Sequence, residues 1–178
     1  MNNQEIAAVL FNISTLLEEH RGNPYRIRAY RNAARNVLRA PHSVAERAAS
    51  NKPLELPGLG KRLTAKITQM ARDGHSDFYD DLCADLPSAE QALLKVPGIG
   101  PKLASRVARD LRVTEVEDLV RRAASLGLQQ TWGVGPKRAS AILERLPGAP
   151  VQVTPMVVRE GNVLYVQQEL WNDQKQAA

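Results

Sequence analysis

The chain has 178 residues, 43% of them hydrophobic and 4% aromatic, with 24 Lys and Arg against 19 Asp and Glu for a net charge of +5 and a pI of about 9.6. That length holds one ordinary domain or two small ones, and a core of mainly Leu, Ala, Val and Ile points to packed helices rather than a β-sandwich. The single cysteine, Cys83, excludes an internal disulfide or a cysteine-based zinc site and fits a reducing compartment, while the basic balance suits either a polyanionic partner or a merely soluble basic protein.

The first helix starts near Asn3, where Ile6, Val9, Leu10, Ile13, Leu16 and Leu17 make one apolar stripe at three- and four-residue steps. This opening lacks the basic and then continuously apolar segments of a signal peptide. No stretch reaches the ~18 apolar residues of a membrane span. A cytoplasmic protein with no membrane partner is expected, nucleoid-associated if bacterial. Gly22 is expected to cap the end of the helix, with Asn23 capping the next and Pro24 in its first position. In "YRIRAYRNAARNVLRA" (25–40), Ile27, Tyr30, Ala34, Val37 and Leu38 point inward, leaving Arg26, Arg28, Arg31, Arg35 and Arg39 outside. Six arginines lie between 21 and 39 with no acid among them. That is either a solvated face or a self-repelling run that needs a counter-anion.

Ser43 with Glu46 reads as a capping box for a short helix, "VAERAAS". "LPGLGKRLTAK" (56–66) opens a helix from about Lys61 to Arg72, ended by Asp73-Gly74. A short segment, "DFYDDLCADL", leads to Pro87, and Ser88 with Gln91 reads as the cap of "AEQALLKV". "VPGIGPKLASR" (96–106) follows, then Thr114 with Glu117 as the cap of "EVEDLVRRAASLG", then "TWGVGPKRASA" (131–141). "PGAP" marks a boundary at 147–150, beyond which "VQVTPMVV", "REGN" and "VLYVQQELW" read as strand, turn and strand, with a frayed end. Such a hairpin needs the helical body or a partner to pack on.

The same turn occurs three times: Gly58-Leu59-Gly60, Gly98-Ile99-Gly100 and Gly133-Val134-Gly135. Glycines let the backbone turn sharply and approach a ligand with no Cβ in the way. Free N–H groups at the start of the following helix favour an anion. Arg62, Lys102 and Lys137 lie two places after the second glycine of each copy, with Lys61 and Arg138 adjacent. The middle residues, Leu59, Ile99 and Val134, are apolar and should tuck between the helices. One such turn also joins helices for structural reasons alone. Three with a basic residue at one offset point to nucleic-acid phosphates, gripped without base reading. The third copy has Thr131-Trp132 in place of an apolar-Pro pair, so Gly133 and Gly135 either bind or merely turn. Trp132 and Tyr25 either stack on bases or pack, and Cys83 reads as an inert core thiol.

Residues 4–146 resemble the N-terminal part of the family X (polymerase beta-like) DNA polymerases. "NPYRIRAYRNAARNV" with "LPGLGKRLTAKI" is similar to their lyase-type domain. "LLKVPGIGPKLASRVARDL" and "TWGVGPKRASAIL" are similar to the helix-hairpin-helix region after it. The resemblance implies a mainly α protein: a lyase-type helical domain with the first helix-hairpin-helix at 1–80, a tandem helix-hairpin-helix domain at 85–148 and a β-hairpin tail at 149–178. It implies sequence-independent binding of gapped, nicked, abasic or 5′-phosphate DNA in repair, with Arg31 and the turn residues among the contacts. The polymerase palm, with its Asp-X-Asp strand, is not recognisable. Asp80 and Asp81 are adjacent, and His20, His42 and His75 lie in unrelated contexts, so polymerase, nuclease or metal chemistry is not expected. In some members a monovalent cation sits on hairpin carbonyls; no other cofactor is implied.

In lyase-active members a lysine after the first hairpin forms a Schiff base with an abasic sugar. Lys66 takes that position, Arg62 that of a 5′-phosphate helper, and Arg26 and Tyr30 those of pocket residues. The chemistry requires an amine with a pKa below the usual ~10.4, which burial and like charge bring about. Lys66 borders the stripe of Leu63, Ile67 and Met70, with Arg62 one turn earlier. The same arrangement equally serves a phosphate contact whose stem covers apolar surface. Arg106 and Ala141 stand at the matching places in the later copies, so only the first can form an imine. Two alternatives remain: a non-enzymatic DNA-holding adaptor that recruits a protein through residues 151–171, and a helical scaffold with no nucleic acid.

Overall fold

The computed structural model describes residues 1–123, 127–146, 156–160 and 163–167, with the backbone alone for Gly127 and the last two segments. The order is α1 (Asn3–Glu19), α2 (Pro24–Arg39), α3 (Val44–Ala49), α4 (Lys61–Asp73), α5 (Asp77–Ala84), α6 (Ser88–Leu94), α7 (Pro101–Leu111), α8 (Val116–Ala123), a 3-10 turn (Gly127–Gln130) and α9 (Pro136–Arg145). The strands β1 (Met156–Glu160) and β2 (Val163–Gln167) follow, antiparallel, with Val158 opposite Tyr165. The mainly α fold holds. The tail's strands pair as read, although Arg159 and Glu160, read as turn, are in β1; 151–155, 161–162 and 168–178 lie outside the described residues. No helix among the described residues is long and apolar enough to cross a membrane.

Local chemistry sets most helix ends. Asn2 and Glu5 form a capping box at α1, each side chain accepting from the other's N–H at 2.9 and 2.8 Å. At its far end Arg21, not Gly22, takes the left-handed conformation (φ 53°). The Gly22 N–H reaches the Leu17 carbonyl at 2.7 Å and the Arg21 N–H that of Glu18 at 3.1 Å, the Schellman pattern. Gly22 is needed one place later, where a Cβ would stand 2.8 Å from the Leu17 carbonyl oxygen. Asn23 accepts from the Tyr25 N–H at 2.9 Å and Pro24 opens α2. Ser43 caps α3 through the Glu46 N–H, and Asn3 of α1 brackets the same end, donating to His42 and accepting from Val44. Gly74 (φ 76°) ends α4.

Three further expectations fail, and one is at α8, which begins at Val116, two residues past the Thr114 read as its cap. Ser88 and Gln91 form no capping box: Pro87 is the cap of α6, and the Ser88 hydroxyl turns instead to the start of α8. It accepts from the Val116 N–H at 3.0 Å and donates to Glu115 at 2.6 Å. Leu38, read as buried, is 49% exposed, because the buried face of α2 is Tyr30, Ala33, Ala34 and Val37 and ends one residue short of it. "DFYDDLCADL" contains the helix α5, capped by Ser76.

The apolar residues gather in two clusters. One joins Ile6, Leu10, Ile13, Tyr30, Val37, Val44, Ile67 and Met70. The other joins Leu93, Val96, Ile99, Val107, Leu119, Val134 and Ile142. They meet where α1 lies along α7. A Cβ on Gly100 would stand 3.2 Å from Asn12 Oδ1, and Asn12 is itself tied to the Tyr79 hydroxyl at 3.0 Å.

Thr131 occupies the place that Leu56 and Val96 hold in the earlier turns. It is 2% exposed, and its hydroxyl finds no partner among the described residues. A buried unpaired hydroxyl costs roughly 1–3 kcal/mol. Thr131→Val, the same shape without the hydroxyl, should therefore raise unfolding stability by about 1 kcal/mol, read as a higher urea midpoint at unchanged slope.

Candidate nucleic-acid interface

The three turns share one geometry. Gly58, Gly98 and Gly133 have φ of 68°, 79° and 92°, left-handed values that only glycine takes without strain. The second glycines, Gly60, Gly100 and Gly135, are extended and are the N-caps of α4, α7 and α9, none with a side-chain capping bond. Each helix therefore starts with N–H groups that no local side chain satisfies. In α7 and α9 the first position is Pro101 or Pro136, which has no N–H, so the donors there narrow to the glycine and Lys102 or Lys137. A Cβ on Gly58, Gly60, Gly98 or Gly135 would meet nothing within 4 Å, so the first turn faces open space at both glycines, while Gly100 lies near Asn12 and Gly133 near Leu103. Lys61, Arg62, Lys102, Lys137 and Arg138 are all exposed. Ile99 and Val134 are buried between their helices, and Leu59 half-buried.

Arg26, Tyr30 and Lys66 converge on a residue that the sequence reading did not single out, Phe78 of α5. The Lys66 ammonium lies 4.2 Å and the Arg26 guanidinium 4.7 Å from the centre of its ring. Tyr30 stacks on it, centroids 6.0 Å apart and planes 18° from parallel. Tyr30 is buried, which pushes its hydroxyl above the ordinary range against the opposing pull of Arg26. Lys66, at the border of the apolar stripe, is exposed, with its ammonium over the Phe78 ring. An aromatic two residues after a Ser cap was the available signal for Phe78. Arg62 lies one turn before Lys66 and is open to solvent.

The arginine-rich α2 is neutralised in part from α1. Glu18 pairs with Arg31 at 3.2 Å and with Lys102 of the second turn at 3.6 Å. Arg31 first, and Lys102 after it, hold the Glu18 carboxyl below its usual range. Arg35 and Arg39, with Asn32, Asn36 and Gly58, line a polar hollow of about 420 Å³ beside the first turn, and Asn36 donates to the Pro57 carbonyl at 2.7 Å.

At the third turn Arg138 donates to the Gly133 carbonyl at 2.7 Å, and Arg106 to that of Trp132 at 3.3 Å while lying 4.7 Å over its indole. Trp132 and Tyr25 do not pack: they are 78% and 82% exposed. Cys83 is half-buried rather than a core residue, with its thiol pushed up by burial. Among the described residues no three His, Cys, Asp or Glu side chains gather as a metal site.

Turn, apolar wedge and glycine-started helix, three times over, define a helix-hairpin-helix protein. Residues 1–76 match the family described as helix-hairpin-helix domain, and residues 90–147 that described as SAM-like helix-hairpin-helix tandem. The chain is 28% identical over 152 residues, 85% of its length, to the DNA polymerase/3′-5′ exonuclease PolX of Bacillus subtilis. It is 29% and 28% identical over 93 residues, 52% of its length, to the Holliday junction branch migration complex subunit RuvA of Paraburkholderia phymatum and of a Polaromonas species. It spans 26% of PolX and 48% and 49% of the two RuvA chains. The protein thus carries a helix-hairpin-helix region of the kind that the family X polymerases have.

The two glycines of a turn should respond differently to a methyl group. Gly58→Ala forces a left-handed alanine and should cost about 1–2 kcal/mol of stability. Gly60→Ala keeps an ordinary extended backbone in open space and should change stability by less than about 1 kcal/mol. Chemical denaturation of the two variants side by side makes the comparison.

Proposed function

We propose that this protein holds DNA through phosphates, independently of sequence, in repair or recombination, with gapped, nicked or 5′-phosphate DNA as the preferred form. The observation that carries this is the threefold recurrence of a glycine-started, uncapped helix with an exposed cation two places on. The matches to PolX and RuvA, both named for work on DNA, support it.

If each turn neutralises one phosphate, log Kd plotted against log salt should have a slope of magnitude about 2.7. Changing Arg62, Lys102 or Lys137 to Gln should lower it by about 0.9 each, measured by fluorescence anisotropy on a gapped duplex. Binding that is absent at low salt would leave a helical scaffold. Glu18→Gln frees Arg31 and Lys102 from their carboxylate, so it should tighten DNA binding severalfold at low salt.

Deoxyribose-phosphate or abasic-site lyase activity is the finer proposal. The neutral Lys66 amine would attack the C1′ aldehyde and release water as the imine forms. Loss of a C2′ proton would then break the C3′–O bond and free the 3′ strand with its 5′-phosphate. The meeting of Arg26, Tyr30 and Lys66 on Phe78 supports this. The same contact suits the non-enzymatic adaptor as well: a ring face attracts a cation, so Phe78 also fits a charged, phosphate-binding Lys66. In that reading the tail would recruit a protein partner. Borohydride reduction on an abasic-site duplex separates the two. The lyase gives a covalent adduct that Lys66→Ala abolishes. An unreactive wild type that still binds the duplex leaves the adaptor. A hairpin-bound monovalent cation fits the third turn poorly, since guanidinium groups already face the Trp132 and Gly133 carbonyls; its place would be in the first or second.

A further inference from the structure

Trp132 takes the place of Pro57 and Pro97 in the first two turns, directly before the left-handed Gly133. Its indole therefore stands at the lip of the turn that presents Gly135 and Lys137. A lone exposed aromatic needs no explanation, but this one is held in place. Arg106, projecting from α7, covers one side of the ring at 4.7 Å and donates to the carbonyl of the same residue at 3.3 Å. The turn also lies beside that side chain: a Cβ on Gly133 would be in ordinary van der Waals contact with Leu103 Cδ1 at 3.4 Å and with an Arg106 guanidinium nitrogen at 3.8 Å. The result is a ring 78% exposed and backed by a cation on one face, with Lys137 and Arg138 also exposed at the same turn.

A flat aromatic surface backed by a cation, next to a phosphate-binding turn, fits a nucleobase attached to the bound strand. Bases inside an intact duplex have both faces stacked and cannot use it; an unpaired base can. We propose that Trp132 is a stacking platform for an unpaired nucleobase, so that the third turn holds single-stranded nucleic acid beside the duplex. This rests on the phosphate-holding function proposed above.

The test uses the full chain with Trp171→Phe, which leaves Trp132 as its one tryptophan, against a duplex with a five-nucleotide gap and an intact duplex of equal length. Gapped DNA should quench Trp132 fluorescence and intact duplex should not. Trp132→Ala should weaken binding to the gapped DNA roughly tenfold and to intact duplex less than about twofold, while Trp132→Phe retains most of the gap preference. Because the side chain is exposed, thermal melts of the variants should match the parent. Equal losses on both DNAs, or gapped binding without quenching, overturn the platform while leaving the phosphate grip intact. Quenching by an acidic peptide but not by gapped DNA would overturn it in favour of a protein contact. If neither DNA binds at low salt, both proposals fall.

Discussion

A helix that begins at glycine starts with N–H groups that its own cap residue has no side chain to satisfy. That unmet demand at Gly60, Gly100 and Gly135 is what the rest of this molecule is arranged around. At four other helices the chain supplies a side-chain cap, Asn2, Asn23, Ser43 and Ser76 each accepting from the first turn, while α6 starts after Pro87 without one. At the three hairpins the cap is given up, and a left-handed glycine two places earlier aims the bare helix end outward. Burial of Ile99 and Val134 between the helices fixes the angle of approach. An anion placed at such an end meets N–H donors, the positive end of the helix dipole and a lysine or arginine together.

The same logic accounts for the charge distribution. Glu18 stands between Arg31 and Lys102 and offers both an exposed carboxylate, an exchangeable counter-anion rather than a buried pair. It also joins the two apolar clusters, since Arg31 belongs to α2 and Lys102 to α7. Exposed pairs of this kind contribute little to stability, so a phosphate can replace the carboxylate at small cost to the fold. Phe78 plays the corresponding part at the first turn, gathering Arg26 and Lys66 over one ring without neutralising either.

Features set by neighbours in sequence were legible there. The turns, the basic offset, Asn23-Pro24 and Gly74 each depend on a few adjacent residues, and their periodic apolar stripes placed the helices. What was missed depends partly on distant partners and partly on a stripe or turn that ends one residue away from where its pattern put it. Ser88 looked like a local cap because its pattern is local, yet its hydroxyl serves Val116 across 28 residues. Arg21 takes a glycine-like conformation because the tighter space belongs to Gly22. Leu38 has the chemistry of a core residue but lies one step past the buried stripe. Phe78 could be noticed as an aromatic after the Ser76 cap, but the side chains it gathers from α2 and α4, like the helix that Glu18 neutralises, are visible only in the packing. Trp132 was read with two outcomes open; it is 78% exposed, with the Arg106 guanidinium over one face of its ring.

The central claim is that the backbone N–H groups of the turns hold phosphate. It is tested most directly by amide chemical shifts during titration with a short 5′-phosphorylated DNA. Large, saturable shifts should concentrate at Gly60, Lys61, Arg62, Gly100, Lys102, Gly135 and Lys137, and weaken as salt rises. Shifts confined to the arginines of α2, with the turn amides unmoved at saturation, would contradict it.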